Sequence, residues 1–252
     1  MSRALSMWFR FLSIALVLWM FPLAGFAKEI IVSAASSLTN VMNQAVTQFE
    51  KSHPGVKIIL NFGSSGTLLR QIERGAPVDV FVSADSETMD LAVRKDLIVD
   101  GAVRIFSKNK LVMLVRSDLN IVDIRSLDNG SVKRIAIGHP RSVPAGRYTQ
   151  KTLEKAGMWD KISNKFIYAQ NVRQCLDYAT RGEVDVAFVY VTDSRLVQNE
   201  LRVVPIEDAS LDIQYPMAIV KTSSNTALAE DFVSFLISEK VSELLKSNGF
   251  FR

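Results

Sequence analysis

Four short stretches of this 252-residue sequence gather uncharged hydrogen-bond donors at points where a strand pattern gives way to a helix pattern. The richest is Gly63-Ser64-Ser65-Gly66-Thr67, which follows the apolar run Ile58, Ile59, Leu60 and precedes Leu68, Leu69 and Ile72 at helical spacing. The others are Ala34-Ala35-Ser36-Ser37, the Val143-Pro144-Ala145-Gly146 end of a longer loop, and Ala169-Gln170-Asn171 before Val172. The first N–H groups of a helix lack intrahelical acceptors, so a helix start dressed with hydroxyls attracts an anion. A single such serine is more economically read as an N-cap. Four in one chain point to a shared ligand.

The charge arithmetic agrees. Four helix N-termini at about +0.5 each sum to roughly +2, enough to offset a dianion without a lysine. No Asp or Glu occurs in 33–38, 63–69 or 143–146. A protonated oxyanion such as hydrogen phosphate needs an acceptor for its own hydrogen, so donors alone favour a fully deprotonated tetrahedral anion. Sulfate and larger oxyanions satisfy that condition equally, and only pocket radius separates them.

The elements that position these junctions follow from periodicity. A strand is predicted over 29–33, then a helix from Leu38 through Val41, Met42, Ala45, Val46 and Phe49, with Ser36 or Ser37 at its N-cap. Strands over 56–61 and 78–82 bracket the second helix, and Ser83-Ala84-Asp85 opens a further short one. Strands alternating with helices imply parallel pairing through right-handed crossovers, with ligand loops at the carboxyl edge of the sheet. The pattern then restarts: strands at 111–115, 134–137, 165–168 and 184–190, with helices from Pro144 to Gly157 and from Val172 to Gly182. Tyr190 ends the last of these strands. A strand at 215–220 and a closing helix over 228–246 complete the reading. The repeat predicts two lobes, with 111–115 and 215–220 as crossings and the closing helix returning to the first lobe.

The formal charge of +4 includes Arg3 and Arg10 of a predicted export signal over 1–27, cleaved after Ala27, leaving +2, too weak for nucleic acid or acidic membranes. Cys175 is the sole cysteine, and no later stretch is apolar enough to span a bilayer, so a soluble exported protein is expected. No nucleophile elbow, metal-ligand cluster or Walker loop is present in the sequence, which argues against an enzyme; an export signal argues against a regulator's effector domain.

The runs AASSLTN, GSSGTLLRQIERGAPVDVFVSAD, GHPRSVPAGRY, NVRQCL and AFVYVTD together resemble the periplasmic molybdate-binding proteins of molybdate ABC transporters, across essentially the whole mature chain. The resemblance implies an α/β, two-lobed type II periplasmic binding protein fold, each lobe a mixed, mainly parallel sheet flanked by helices, with the ligand cleft between lobes. Lobe I is expected over 28–108 and 216–252 and lobe II over 109–215. The export signal is most simply that of a periplasmic protein, a monomer is the default, and no catalysis, cofactor or metal cation is expected. The resemblance further implies capture of molybdate or tungstate and delivery of the ion to a membrane permease. Position by position it places the ligand contacts on Ser37 and Ser65 through hydroxyl and N–H, on Ala145 and Val172 through N–H, and on Tyr190 through its hydroxyl. Ser36 beside Ser37 is a departure that leaves two candidate hydroxyls there. The alternatives are another tetrahedral oxyanion such as sulfate, or an enzyme on the same fold. Arg173 is expected to pair with a carboxylate such as Asp193, His139 to be a solvated loop residue, and Asp79 and Asp85 to cap.

Overall fold

Parallel strands are present in both halves of the chain, as the alternating pattern predicts. The structure, a computed structural model, describes residues 28–197 and 201–252, and the expected export signal lies outside the described residues. β1 (Lys28–Ala35) pairs in parallel with β2 (Val56–Gly63) and with β3 (Val80–Val82). The crossovers are α1 (Thr39–Ser52), which buries Val41, Met42, Ala45, Val46 and Phe49, and α2 (Ser65–Glu73), which buries Leu68, Leu69 and Ile72. Full burial of each large apolar side chain is worth about 1.5–3 kcal/mol, so these faces fix how each helix lies on its sheet. α3 (Ser86–Arg94) follows, and then β4 (Arg104–Asn109).

The first sheet has the order β2-β1-β3-β10-β4, with β10 (Ile213–Ile219) antiparallel to both neighbours. The second has the order β7-β6-β8-β5-β9, built from β5 (Leu111–Arg116), β6 (Ile135–Gly138), β7 (Phe166–Ala169), β8 (Val186–Tyr190) and β9 (Leu201–Pro205). Its helices include α4 (Pro144–Lys155) and α5 (Val172–Thr180). The C-terminal α6 (Thr226–Leu236) and α7 (Glu239–Ser247) pack on elements of the first sheet's lobe.

Several expectations need correction. Leu111–Val115 and Tyr215–Val220 are not crossings: β5 lies wholly in the second sheet and β10 in the first, so Ile213, Gln214 and Tyr215 fall with the first sheet. The chain passes between sheets at Lys110 and in the segment 206–212. The closing helix is two helices, because Ser238 adopts extended backbone (ψ 161°) and starts α7 afresh. Ser36 and Ser37 are not N-caps but sit inside a 3-10 turn, Ser36–Leu38, that leads into α1. β4 and β9, absent from the periodicity reading, are sheet-edge strands.

Candidate functional site

Register brings the donor-rich turns level with one another. β1 and β2 stay paired up to Ala35 opposite Gly63, and β6 and β7 up to Gly138 opposite Ala169, so two turns leave each sheet side by side. The 138–146 loop then doubles back tightly. A Cβ on Gly146 would sit 1.9 Å from the carbonyl oxygen of Gly138, and one on Gly138 would sit 2.4 Å from Cγ1 of Val143, so only glycines allow this return. The consequence is that Ala145 faces the first sheet's turns across the cleft.

Ser37, Ser65, Ala145, Val172 and Tyr190 line one small chamber, together with Ser36, Ser64, Ala84 and neighbouring backbone. It is narrow, with room for about one water-sized body. Donors dominate its wall. Ser65 and Val172 are the first residues of α2 and α5 and Ala145 the second of α4, so their N–H groups have no intrahelical acceptor. Side-chain caps do not compete for them at α2 or α4: the N-cap Ser64 makes no capping bond and turns its hydroxyl to Thr67 Oγ1 at 2.8 Å, and Val143 has no cap to offer. At α5 the cap Asn171 accepts from the N–H of Gln174 at 3.1 Å, which leaves that of Val172.

Tyr190 is the decisive side chain. It is 1% exposed, and its hydroxyl has no hydrogen-bond partner among the described residues. Leaving such a group unpaired costs about 1–3 kcal/mol, a cost an acceptor in the chamber would remove. Burial pushes the phenol well above its usual value, so the hydroxyl keeps its proton and is a donor.

The guanidinium next to Val172 is already neutralised. Arg173 Nε lies 2.8 Å from Asp193 Oδ1, as the sequence suggested, and its Nη2 donates to the carbonyl of Ser37 at 3.4 Å. A larger groove of about 530 Å³, lined by Val122, Lys155 and Asp208 among others, lies on the second lobe away from the helix starts. Its Lys155 is paired with Asp208 at 2.7 Å. Among the described residues no cluster of His, Cys, Asp or Glu is arranged to hold a metal ion.

A family model described as bacterial extracellular solute-binding protein matches residues 30–251. The chain belongs to that family. It is 38% identical over 232 residues to the molybdate-binding protein ModA of Escherichia coli strain K12, covering 88% of each chain. Among solved structures it is similar to the substrate binding domain of a putative molybdenum ABC transporter from Clostridium difficile, with 33% identity, a TM-score of 0.67, and 89% of this chain and 98% of that one covered. The fold is also shared with the sulfate-binding protein SubI of Mycobacterium tuberculosis H37Rv, at 17% identity, TM-score 0.77, and 88% and 86% coverage. Members of this family bind solutes and are not enzymes.

In this solute-binding protein the lobes meet through contacts that sequence reasoning missed. The N–H of Gly66 donates to the carbonyl of Ser142 at 3.0 Å. Arg147 Nε donates to Asp85 Oδ2 at 2.9 Å, its Nη2 reaches the same oxygen, and Nη2 also donates to Thr88 Oγ1 at 2.6 Å. Asp85 caps α3 as expected, accepting from the N–H of Thr88 at 3.3 Å, but its second oxygen serves the other lobe. No local spacing announces a partner 62 residues away. Asp79 caps no helix; it accepts from the N–H of Ile31 at 2.7 Å and from the Ser223 hydroxyl at 2.6 Å, tying β1 to the segment after β10. His139 is a loop residue whose Nδ1 accepts from the N–H of Arg141 at 3.3 Å.

Proposed function

We propose that this protein captures molybdate, and tungstate with it, between its two lobes and hands the ion to the permease of an ABC transporter on the outer side of the bacterial cytoplasmic membrane. The observation that carries the reading is the buried Tyr190 hydroxyl, which has no partner among the described residues and lines the same chamber as Ser65, Ala145 and Val172, whose N–H groups stand at helix starts without intrahelical acceptors. A tetrahedral dianion supplies the acceptors these donors lack. Ser37, Ser65, Ala145, Val172 and Tyr190 are the contacts we assign, Ser37 and Ser65 each adding a hydroxyl; Ser36 lines the same chamber beside Ser37. The relatives named for molybdate or molybdenum support the choice of ion. With the expected export signal over 1–27, the mature protein works in the periplasm; no helix among the described residues is long and apolar enough to cross a membrane.

Sulfate is the second reading, because an all-donor wall suits it equally and a sulfate-binding protein shares the fold. A thermal-shift panel of molybdate, tungstate, sulfate, phosphate and small carboxylates separates the two. Ligand at one hundred times its dissociation constant stabilises the folded state by about 2.7 kcal/mol. Molybdate and tungstate should raise the melting temperature well above the other anions; a shift with sulfate alone, or with none of them, would refute the proposal.

A further inference from the structure

A hydroxyl can donate or accept, and the direction it shows a ligand is set by its other partner. Ser65 Oγ accepts from the N–H of Ala84 at 2.9 Å, so its hydrogen is free for the chamber. Ser37 Oγ lies 2.9 Å from Tyr215 Oη, a contact that by itself permits either direction. The choice is made one residue further out. Asn109 Oδ1 accepts from the N–H of Lys110 at 2.9 Å, which fixes the amide so that Nδ2 faces Thr192 Oγ1 at 2.9 Å and Tyr215 Oη at 3.2 Å. An amide nitrogen only donates. Tyr215 is fully buried, its ring edge-on to Tyr190 and Phe250, and burial keeps its phenol protonated. Its oxygen receives a hydrogen from Asn109, so its own hydrogen goes to Ser37 Oγ, the remaining acceptor within reach among the described residues. Ser37 is then left with a hydrogen to give and nowhere to send it but the chamber.

We propose that Asn109 and Tyr215 are positioning residues that lock the Ser37 hydroxyl as a donor, and that this lock is a determinant of selectivity against oxyanions that carry a proton. The inference rests on the chamber being an oxyanion site. Without the lock, Ser37 could donate outward to Tyr215 and accept a hydrogen from hydrogen phosphate. With it, accepting that hydrogen would strand its own in a buried place.

Two variants test the lock by titration calorimetry. Tyr215→Phe removes the relay with little change of shape and frees the Ser37 lone pair that the phenol occupied; the preference for molybdate over hydrogen phosphate should fall about three- to ten-fold, the worth of one hydrogen bond. Combined with Ser37→Ala it should cost nothing beyond Ser37→Ala alone, since Tyr215 acts through that hydroxyl. Asn109→Asp is nearly isosteric and reverses the chain: the carboxylate accepts from Tyr215, Tyr215 from Ser37, and Ser37 turns a lone pair inward. Hydrogen phosphate and molybdate are both dianions at mildly alkaline pH, so the added charge cancels in their affinity ratio. That ratio should move toward hydrogen phosphate by about ten-fold or more.

Independent, multiplying effects of Tyr215→Phe and Ser37→Ala would overturn the lock. So would an unchanged selectivity in Asn109→Asp, or a phosphate affinity still below detection; if that variant fails to fold, the double-mutant cycle decides. A wild type that binds no molybdate, tungstate or sulfate removes the functional reading and the lock together. A wild type that binds while the variants behave like it removes only the lock.

Discussion

Gly66 is where the ligand site and lobe closure can be separated by one methyl group. It is the second residue of α2, its N–H donates across the cleft to Ser142, and a Cβ there would lie 2.8 Å from the Ser142 carbonyl oxygen and 2.9 Å from its Cα. Those atoms are backbone of the opposite lobe and cannot swing aside. Gly66→Ala therefore forces the lobes apart. Overpacking of this kind costs about 1–3 kcal/mol, and the strained inter-lobe hydrogen bond gives up about 0.5–1.5 kcal/mol more. A closed form weakened by roughly 2–4 kcal/mol should bind molybdate roughly 30- to 900-fold more weakly. Within its own lobe the change is benign, because alanine is favoured over glycine inside a helix by about 1 kcal/mol. Titration calorimetry gives the affinity, and thermal melts without ligand give the control. Unchanged affinity, or an equal loss of unliganded stability, would refute the argument that this face closes on the ligand.

Arg147→Met should act on the same equilibrium through charge. It strands the Asp85 carboxylate, 4% exposed, under the closed lobes, and breaking a buried pair costs about 3–5 kcal/mol, relieved when opening rehydrates the acid. Molybdate should dissociate faster in a stopped-flow competition assay while the unliganded melting temperature barely moves; an unchanged dissociation rate would count against the latch. Asp193 provides a pH signature. Burial lifts its carboxyl from 3.8 to about 6, with Arg173 pulling the other way. Between those values the folded state binds more protons than the unfolded chain, so the stabilisation from this group is complete below about 4 and lost as pH rises through about 6. The window is worth at most about 3 kcal/mol. Denaturant unfolding of wild type and Asp193→Asn across this range should show the wild type losing ground to the variant as pH rises; the opposite slope would show that Arg173 outweighs burial.

The strand-to-helix junctions, their neutral donors and the parallel pairing were all legible in the sequence, because small residues at helix starts and apolar periodicity are local signals. So was the Arg173 partnership with Asp193, the one distant pairing that complementary charge alone suggested. Ser36 and Ser37 looked like caps, since cap propensity is a property of residue type; that they lie inside a 3-10 turn depends on how β1 meets α1. The closing helix read as one because its apolar spacing carries across Ser238, where only the packing of two separate helices dictates a break. Edge strands β4 and β9 left no clean alternation to read.

The chemistry of the ligand was therefore written locally: amides and hydroxyls at four helix starts, with no carboxylate among them, call for a bare anion wherever they are brought together. What only the folded molecule decided is how they are brought together and which way each hydroxyl points. Lobe contact joins Gly66 to Ser142 and Asp85 to Arg147, and the direction of Ser37 is set by Tyr215 and Asn109, 178 and 106 residues apart along the two links of the chain. A hydrogen bond reaches about 3 Å in space and carries no trace in sequence spacing once its partners come from different elements.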